Sequence, residues 1–259
     1  MSDEDQEQLA EGTLISHLIE LRQRLIRAVA AIAVAFVPCA IFSNQLFTMI
    51  ALPLLEKMPQ GTSMIATNVV APFMAPLKLA LFLAIFLAMP VVLYQAWAFV
   101  APGLYRHEKR FAAPLLLSSI VLFYAGAAFA YFIVFPLMFA FLTTTVPIGV
   151  QVMTDMTNYL DFVLLLFFAF GIAFEIPIAT VLLAATGLVR VEAMAKHRGY
   201  VILGIFIVAA FLTPPDAISQ SFMAVPMYLL YEVGIVMSRL LLKDKLARQR
   251  SERQDAGSS

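Results

Sequence analysis

Long apolar runs, separated by short polar and basic segments, dominate the chain and predict helices that cross a membrane. Crossing about 30 Å of hydrocarbon takes about 20 helical residues at a rise of 1.5 Å each. Six runs reach or approach that length, at about residues 25–42, 73–100, 112–142, 162–188, 199–212 and 217–240. The pattern predicts an all-α polytopic protein with six transmembrane helices, forming a single membrane domain over residues 1–242.

The fifth and sixth runs are separated only by Thr213 to Asp216 (TPPD), and both are predicted to form short helices. The fifth lacks about a quarter to a third of the residues needed to span. The sixth opens with the polar stretch Ser219 to Ser221, which shortens its apolar part. Either the bilayer is thinner there, the hairpin stops short of one surface, or the helix ends are misplaced by a turn.

Prolines inside or beside the runs predict kinks, because each removes one backbone hydrogen bond and clashes with the preceding turn. The prolines concerned are Pro38, Pro90, Pro114, Pro136, Pro177 and Pro226. Kinked, tilted helices favour a curved bundle with a concave side, although membrane helices also tolerate proline without functional consequence.

Composition agrees with a lipid environment. The chain is 62% hydrophobic and 13% charged, with a mean hydropathy of +0.89, whereas soluble domains carry about 25% charged residues. A formal net charge of zero gives no indication of nucleic-acid binding. The single cysteine, Cys39, excludes an intrachain disulfide. The acidic N-terminus is unlike a cleavable signal peptide, so the first helix is expected in the mature protein.

Basic residues define the predicted orientation. Fifteen of the seventeen fall before the first run, between the second and third, between the fourth and fifth, or after the sixth. The exceptions are Lys57 and Lys78. Because cytoplasmic loops carry the excess of Lys and Arg, both termini are predicted to face the cytoplasm. Residues 243–259 are predicted to be a disordered cytoplasmic tail.

Two longer segments, Ser43 to Pro72 and Thr143 to Asp161, lie on the opposite, external side in this topology. Each mixes prolines with apolar residues. Such composition indicates short interfacial helices over the outer ends of the spans.

No catalytic set is evident. The sequence contains no recognisable nucleophile motif with a partner histidine, no aspartyl pair, no zinc-binding helix and no P-loop. No catalytic residue, metal or cofactor is therefore predicted, and an enzyme ranks third among the functional classes considered.

Glu175, in GIAFEIPIA near the middle of the fourth run, is a candidate functional residue. A charged carboxylate at this depth costs about 2.5–3.5 kcal/mol on insertion scales, so such groups face a cavity or stay protonated. A proton relay, a polar contact for a partner helix, and a neutral acid bonded to a neighbouring helix are the three interpretations. A proton-coupled secondary transporter is the alternative function that rests on this residue.

Two further glutamates lie among basic residues at the predicted cytoplasmic boundary. Glu20 precedes Arg24 by one helical turn, a spacing that forms a mutual ion pair. Glu108 lies in YRHEKR, where it can simply reduce repulsion between its basic neighbours. From the pattern alone, a local electrostatic role and a binding role both remain open for each.

Taken together, the motifs resemble the TatC family, the multi-span core of the twin-arginine protein translocase. The resemblance covers nearly the whole chain. It rests on HLIELRQRL (17–25), PLLEKMPQGTSMIAT (53–67), YQAWAFVAPGLYRHEKR (94–110), FYAGAAFAYFIVFP (123–136), GIAFEIPI (171–178) and LTPPDAISQ (212–220).

The resemblance implies a receptor that binds signal peptides with two adjacent arginines, and that starts export of folded proteins using the proton-motive force. It places the two recognition carboxylates at Glu20 and Glu108, with Arg22 and Phe99 as supporting residues. The peptide's hydrophobic stretch would then run along the concave face toward Glu175.

The resemblance also implies partners. Single-span TatB-like and TatA-like subunits would bind the bundle, with Thr213 and Gln220 contacting a partner helix on either side of the turn that contains Asp216. A homo-oligomer within a larger complex and a location in the bacterial inner membrane are also expected.

Overall fold

The computed structural model describes residues 3–55, 64–100, 112–144, 153, 155–213 and 216–241. These residues group into two compact units. The first contains the helices before residue 103 together with Met153–Leu160, and the second contains the remaining described residues.

The described residues are almost entirely helical. The helices are α1 (Asp3–Ile41), α2 (Ser43–Leu55), α3 (Ala71–Val100), α4 (Ala112–Phe129), a π-helix (Ala130–Val134), α5 (Phe135–Thr144), α6 (Met156–Ala173), α7 (Ile176–Ala185), α8 (Val191–Lys196), α9 (Arg198–Leu212) and α10 (Ala217–Leu241). Joined through their breaks, they include five stretches long and apolar enough to cross a membrane: Leu18–Ile41, Ala71–Phe99, Ala113–Phe141, Met156–Ala185 and Ala217–Leu241. The predicted all-α polytopic class is confirmed.

The short fifth helix is confirmed, since α9 has 15 residues and extends only about 22 Å at 1.5 Å per residue. The prediction of a short sixth helix is wrong. α10 has 25 residues over nearly the predicted range of 217–240, and it includes Ser219 and Gln220 at its start. The fourth span also begins earlier than predicted, at Met156 and not near residue 162.

Many large apolar side chains on the long helices are exposed. Val34 in α1 is 73% exposed, and Phe132 in the π-helix is 72% exposed. Apolar surface of this extent is rare on water-soluble monomers. Lipid is therefore the solvent for these faces.

One of the two segments predicted to be external contains the expected short helix. Directly after α1 ends, α2 runs from Ser43 to Leu55. In the other segment, residues 145–152 and 154 lie outside the described part of the chain, as does the predicted tail.

Two prolines coincide with helix irregularities. Pro136 follows the π-helix, whose last turn is closed by a bond from the Phe135 N–H to the Ala130 carbonyl. Widening this turn moves the Phe132 carbonyl away from the proline ring, which would otherwise clash with it. Pro177 lies just after the break between α6 and α7 and has no N–H to bond the carbonyl four residues back.

Small residues form one buried cluster in the first unit. Cys39 near the end of α1 clusters with Ala80 and Ala84 in the first half of α3. The end of one helix therefore packs against the start of the other, so α1 and α3 are antiparallel. Side chains of this size let the two backbones approach closely.

Glycines allow similarly close packing in the second unit. A Cβ on Gly234 of α10 would lie 2.8 Å from Thr180 and 2.9 Å from the Pro177 Cα in α7. A Cβ on Gly126 of α4 would overlap the Phe170 carbonyl oxygen. These glycines hold α4 and α10 against the α6–α7 segment on either side of its break.

Candidate functional site

Glu20 forms an ion pair within α1. The Arg24 guanidinium donates to Glu20 Oε1 from Nε, at 2.9 Å, and from Nη2. The pair is the local contact that the four-residue spacing predicts. Both bonds end on Oε1, so Oε2 keeps its capacity to accept from another donor. Glu20 therefore combines a fixed orientation with an available oxygen.

Phe99 lies toward the same end of the α1–α3 pair as Glu20. The Cys39–Ala80–Ala84 cluster shows that α1 and α3 run antiparallel, with the end of α1 against the first half of α3. Phe99, at the end of α3, therefore lies toward the N-terminal part of α1, which contains Glu20. Phe99 is half-buried and Arg22 is exposed. The structure thus places Glu20, Arg22 and Phe99 toward one end of the α1–α3 pair.

Glu108, the second predicted recognition carboxylate, belongs to residues 101–111, which lie outside the described part of the chain. Its proposed role rests on the sequence motif.

Glu175 lies at the break between α6 and α7. Its Oε2 accepts a hydrogen bond from the hydroxyl of Ser119 on α4, at 2.6 Å. Ser119 is fully buried. The other oxygen, Oε1, is buried without a hydrogen-bond partner among the described residues. The contact with a neighbouring helix that the sequence left as one of three alternatives is therefore present.

Thr213 and Gln220 flank the turn at the far end of the α9–α10 hairpin. The Thr213 side chain is buried, and its hydroxyl donates to the Ala209 carbonyl at 2.9 Å. That bond occupies its donor but leaves its oxygen able to accept. Gln220 is half-buried in the first helical turn of α10.

Asp216 caps α10. Its Oδ1 accepts from the backbone N–H of Ser219 at 2.7 Å and of Ile218 at 3.1 Å. The Ser219 N–H is the main reason that the pKa of Asp216 lies below its ordinary value. The predicted turn residue is therefore the N-cap that starts the sixth helix.

Sequence reasoning missed Glu232, an acid inside the sixth span. It accepts two hydrogen bonds from Arg198, at 2.6 and 2.8 Å, and a third from the Tyr228 hydroxyl at 2.7 Å. The rule that singled out Glu175, an ionisable residue inside an apolar run, would also have found Glu232.

A second missed residue is Asp155, immediately before α6. Its Oδ1 accepts from the N–H groups of Thr157 and Asn158, at 2.9 and 3.0 Å. Its Oδ2 accepts from the N–H and hydroxyl of Thr67, at 3.0 and 2.7 Å. The Asn158 bond is the largest of these effects, which together lower the pKa of Asp155 to about 2. Asp155 joins the segment before α3 to the start of α6.

The described residues contain no group of three or more His, Cys, Asp or Glu side chains placed to hold a metal ion. What the described site offers is therefore carboxylate, hydroxyl and amide groups at helix ends and breaks. Their chemistry suits hydrogen-bonded recognition of cationic and polar groups.

Comparison with known proteins identifies the family. A sequence model described as Sec-independent protein translocase protein (TatC) matches residues 16–226. The chain belongs to the TatC family. The match includes every candidate residue named above from Glu20 to Gln220.

Individual TatC proteins show the same relationship over most of their length. The chain is 54% identical to TatC of Azotobacter chroococcum mcd 1 over 222 residues, covering 86% of this chain and 87% of that protein. It is 50% identical to TatC of Escherichia coli (strain K12) over 226 residues, covering 87% and 88%. It is also similar to a crystal structure described as the twin arginine translocase receptor TatC, with a TM-score of 0.77 at 39% identity, covering 86% of this chain and 98% of that one.

Membership in the TatC family decides between the two main functional classes. The chain is a multi-pass membrane protein of the Sec-independent, twin-arginine translocase, and the translocase prediction is confirmed. The secondary-transporter alternative is not supported, because the likeness extends along nearly the whole chain and not only around Glu175.

Proposed function

We propose that this chain is the signal-peptide receptor of a bacterial twin-arginine translocase, with Glu20 and Glu108 as the carboxylates that bind the two arginines. The observation that carries the proposal is the state of Glu20 in a chain of this family. Arg24 holds one of its oxygens, and the other can still accept a hydrogen bond.

Arginine is the cation that such a site favours. A guanidinium presents several N–H donors in a plane and pairs with carboxylates bidentately, which a lysine ammonium cannot do. A fully exposed ion pair contributes only about 0–1 kcal/mol, whereas hydrogen bonds to charged groups reach about 1.5–3 kcal/mol each. Two carboxylates that each form such bonds to an arginine would therefore distinguish Arg-Arg from Lys-Lys. Phe99, toward the same end of the α1–α3 pair as Glu20, supplies apolar surface near the first site.

The orientation follows from the distribution of basic residues. With fifteen of seventeen Lys and Arg on one side, both termini face the cytoplasm and the protein resides in the inner membrane. Glu20 and Glu108 then lie on the side from which a precursor arrives. The proton-motive force drives the subsequent transport.

The α9–α10 hairpin is the proposed contact for single-span TatB-like and TatA-like subunits. Along α9, Tyr200, Leu203, Ile207 and Phe211 form an exposed apolar stripe at helical spacing. Thr213 lies just beyond the end of this stripe with its side chain buried, so the half-buried Gln220 is the more accessible of the two proposed polar contacts. A transmembrane helix of a partner packs along such a stripe. A homo-oligomer of this chain within the complex is part of the same proposal.

Site-specific photocross-linking tests the receptor proposal. A photoreactive residue at position 20 or 108 is expected to cross-link to a twin-arginine precursor, and much less to the same precursor with two lysines. Glu20→Ala and Glu108→Ala are expected to abolish this cross-linking from the other position and to abolish export. Glu192→Ala, which removes an exposed carboxylate from the same predicted side of the membrane, is the matched control. Normal precursor binding by both variants would show that the assignment is wrong.

A further inference from the structure

An apolar groove runs between the α6–α7 segment and α9 in the second unit, with a volume of about 570 Å³. Its walls carry no charged side chain. They include Leu165, Ile172 and Ile176 on one side and Val201, Ile205 and Val208 on the other.

The groove opens outward at the level of the membrane. Leu165, Ile172 and Val208 are 39–50% exposed although they line it. Leu165 and Ile172 belong to the spanning stretch Met156–Ala185. The groove therefore faces hydrocarbon and not water.

The shape and lining of the groove suit an acyl chain. It follows α9 from Val201 to Leu212, a length of about 16 Å at 1.5 Å per residue. A hydrocarbon chain is apolar throughout and therefore matches walls that carry no charged side chain.

Two basic residues, one of them already paired with an acid, lie near residue 198 at one end of the groove. Arg198 begins α9 and precedes Val201 by three residues, which places both on one helix face. Glu232 holds Nε and Nη2 of Arg198. Lys196, two residues earlier, is exposed. Basic residues beside a cleft between transmembrane helices suit an anionic headgroup, and the cytoplasmic leaflet is rich in anionic lipids.

We propose that an anionic phospholipid occupies this groove, with an acyl chain between α6–α7 and α9 and its headgroup beside Lys196. The exposed stripe of α9 that was assigned to partner helices lies on other residues, so the lipid and a partner can be bound together. The proposal does not depend on how Glu20 and Glu108 are used.

Two glycines of α9 supply a matched pair of test variants. A Cβ on Gly204, which lines the groove, would meet no atom within 4 Å, and the same is true of Gly199, which does not line it. Gly204→Leu fills the groove without a clash at its Cβ. Gly199→Leu adds the same side chain five residues away, outside the groove.

Native mass spectrometry of the full chain, purified in detergent and mixed with phosphatidylglycerol or phosphatidylcholine, measures the lipid retained. The wild type and Gly199→Leu are expected to retain one phosphatidylglycerol that Gly204→Leu loses. Lys196→Gln is expected to bring retention of phosphatidylglycerol down to that of phosphatidylcholine.

Equal retention by the wild type and Gly204→Leu would overturn the proposal. Equal retention of both lipids by the wild type would overturn the headgroup assignment. If Gly204→Leu left lipid retention unchanged but prevented a single-span subunit from co-purifying, the groove would be a protein contact instead.

Discussion

Arg198 and Glu232 are joined by two parallel hydrogen bonds, from Nε to Oε1 at 2.6 Å and from Nη2 to Oε2 at 2.8 Å. The pair links the first residue of α9 to α10, and Tyr228 adds a third bond to the same carboxylate. Planar, bidentate pairing of this kind restrains the relative orientation of its two helices. The short fifth helix is thereby held against the longer sixth.

A double-mutant cycle tests this link. Arg198→Gln and Glu232→Gln are each expected to lower the thermal midpoint of the protein in detergent, because each leaves its former partner without a matching charge. The double variant is expected to lose less than the sum of the two losses, since it removes both charges. Additive losses would show that the pair does not couple α9 to α10. Arg198→Lys should lower the thermal midpoint by less than Arg198→Gln does, because an ammonium keeps the charge but cannot form both bonds.

The lowered pKa of Asp155 predicts how the stability of the folded protein depends on pH. Its pKa in the folded protein is about 2, below the ordinary value of about 3.9. The ionised form therefore stabilises the folded state at any pH above about 4, and this contribution is lost as the pH falls through about 2. Asp155→Asn is expected to be less stable than the wild type at neutral pH, with the difference shrinking between pH 4 and pH 2.

Thermal unfolding across that pH range in detergent measures the effect. Thr67→Val, which removes the hydroxyl donor to Oδ2, should reduce the pH dependence without abolishing it, because three backbone N–H donors remain. A constant difference between the wild type and Asp155→Asn from pH 7 to pH 2 would contradict the assignment.

The glycine contacts predict that the loss of stability caused by a glycine-to-alanine change differs sharply between positions. Gly234→Ala places a methyl group within 2.9 Å of Thr180 and Pro177. Such overpacking costs typically about 1–3 kcal/mol of unfolding free energy. Gly126→Ala should behave similarly, because its methyl group would overlap the backbone of Phe170.

Gly204→Ala is the control for these variants, since its added methyl group meets nothing within 4 Å. It should be neutral or slightly stabilising, as alanine favours helix over glycine. Denaturation in detergent with chemical denaturant ranks the three variants. Equal stability of Gly204→Ala and Gly234→Ala would show that close helix approach at Gly234 is not required.

Variants at the Ser119–Glu175 contact distinguish a structural role of Glu175 from a role in carrying protons. Ser119→Ala removes the only described donor to Glu175 and should cost about 1–3 kcal/mol, the penalty of leaving a buried polar group unpaired. Glu175→Gln keeps a carbonyl oxygen for Ser119, so it should be nearly as stable as the wild type. Unaltered export of a twin-arginine reporter by Glu175→Gln would remove Glu175 from any essential proton path, and lost export with normal stability would support one.

The local hydrophobic pattern of the sequence was sufficient to predict the spanning helices but not where each of them ends. The start of the sixth helix at Ala217 agrees with the predicted range, and the Asp216 side chain fixes it by accepting two N–H bonds. The fourth span was predicted from about residue 162, whereas α6 starts at Met156 because Asp155 caps it. Here a side-chain cap outweighed hydropathy, which carries no information about individual hydrogen bonds.

The sequence by itself determined the all-helical membrane class, the short fifth span and the family. The preference of each apolar residue for lipid is a property of that residue, and each translocase motif is a contiguous stretch of sequence. Both can therefore be recognised without knowledge of the fold. It also anticipated the Glu20–Arg24 pair, since four residues make one turn. Only the tertiary structure decided that Glu175 meets Ser119, 56 residues away, that Asp155 meets Thr67, 88 residues away, and that Arg198 meets Glu232. The partner of a polar group inside a helical bundle depends on which helices pack together and in which register, and that is a property of the whole fold and not of any one segment.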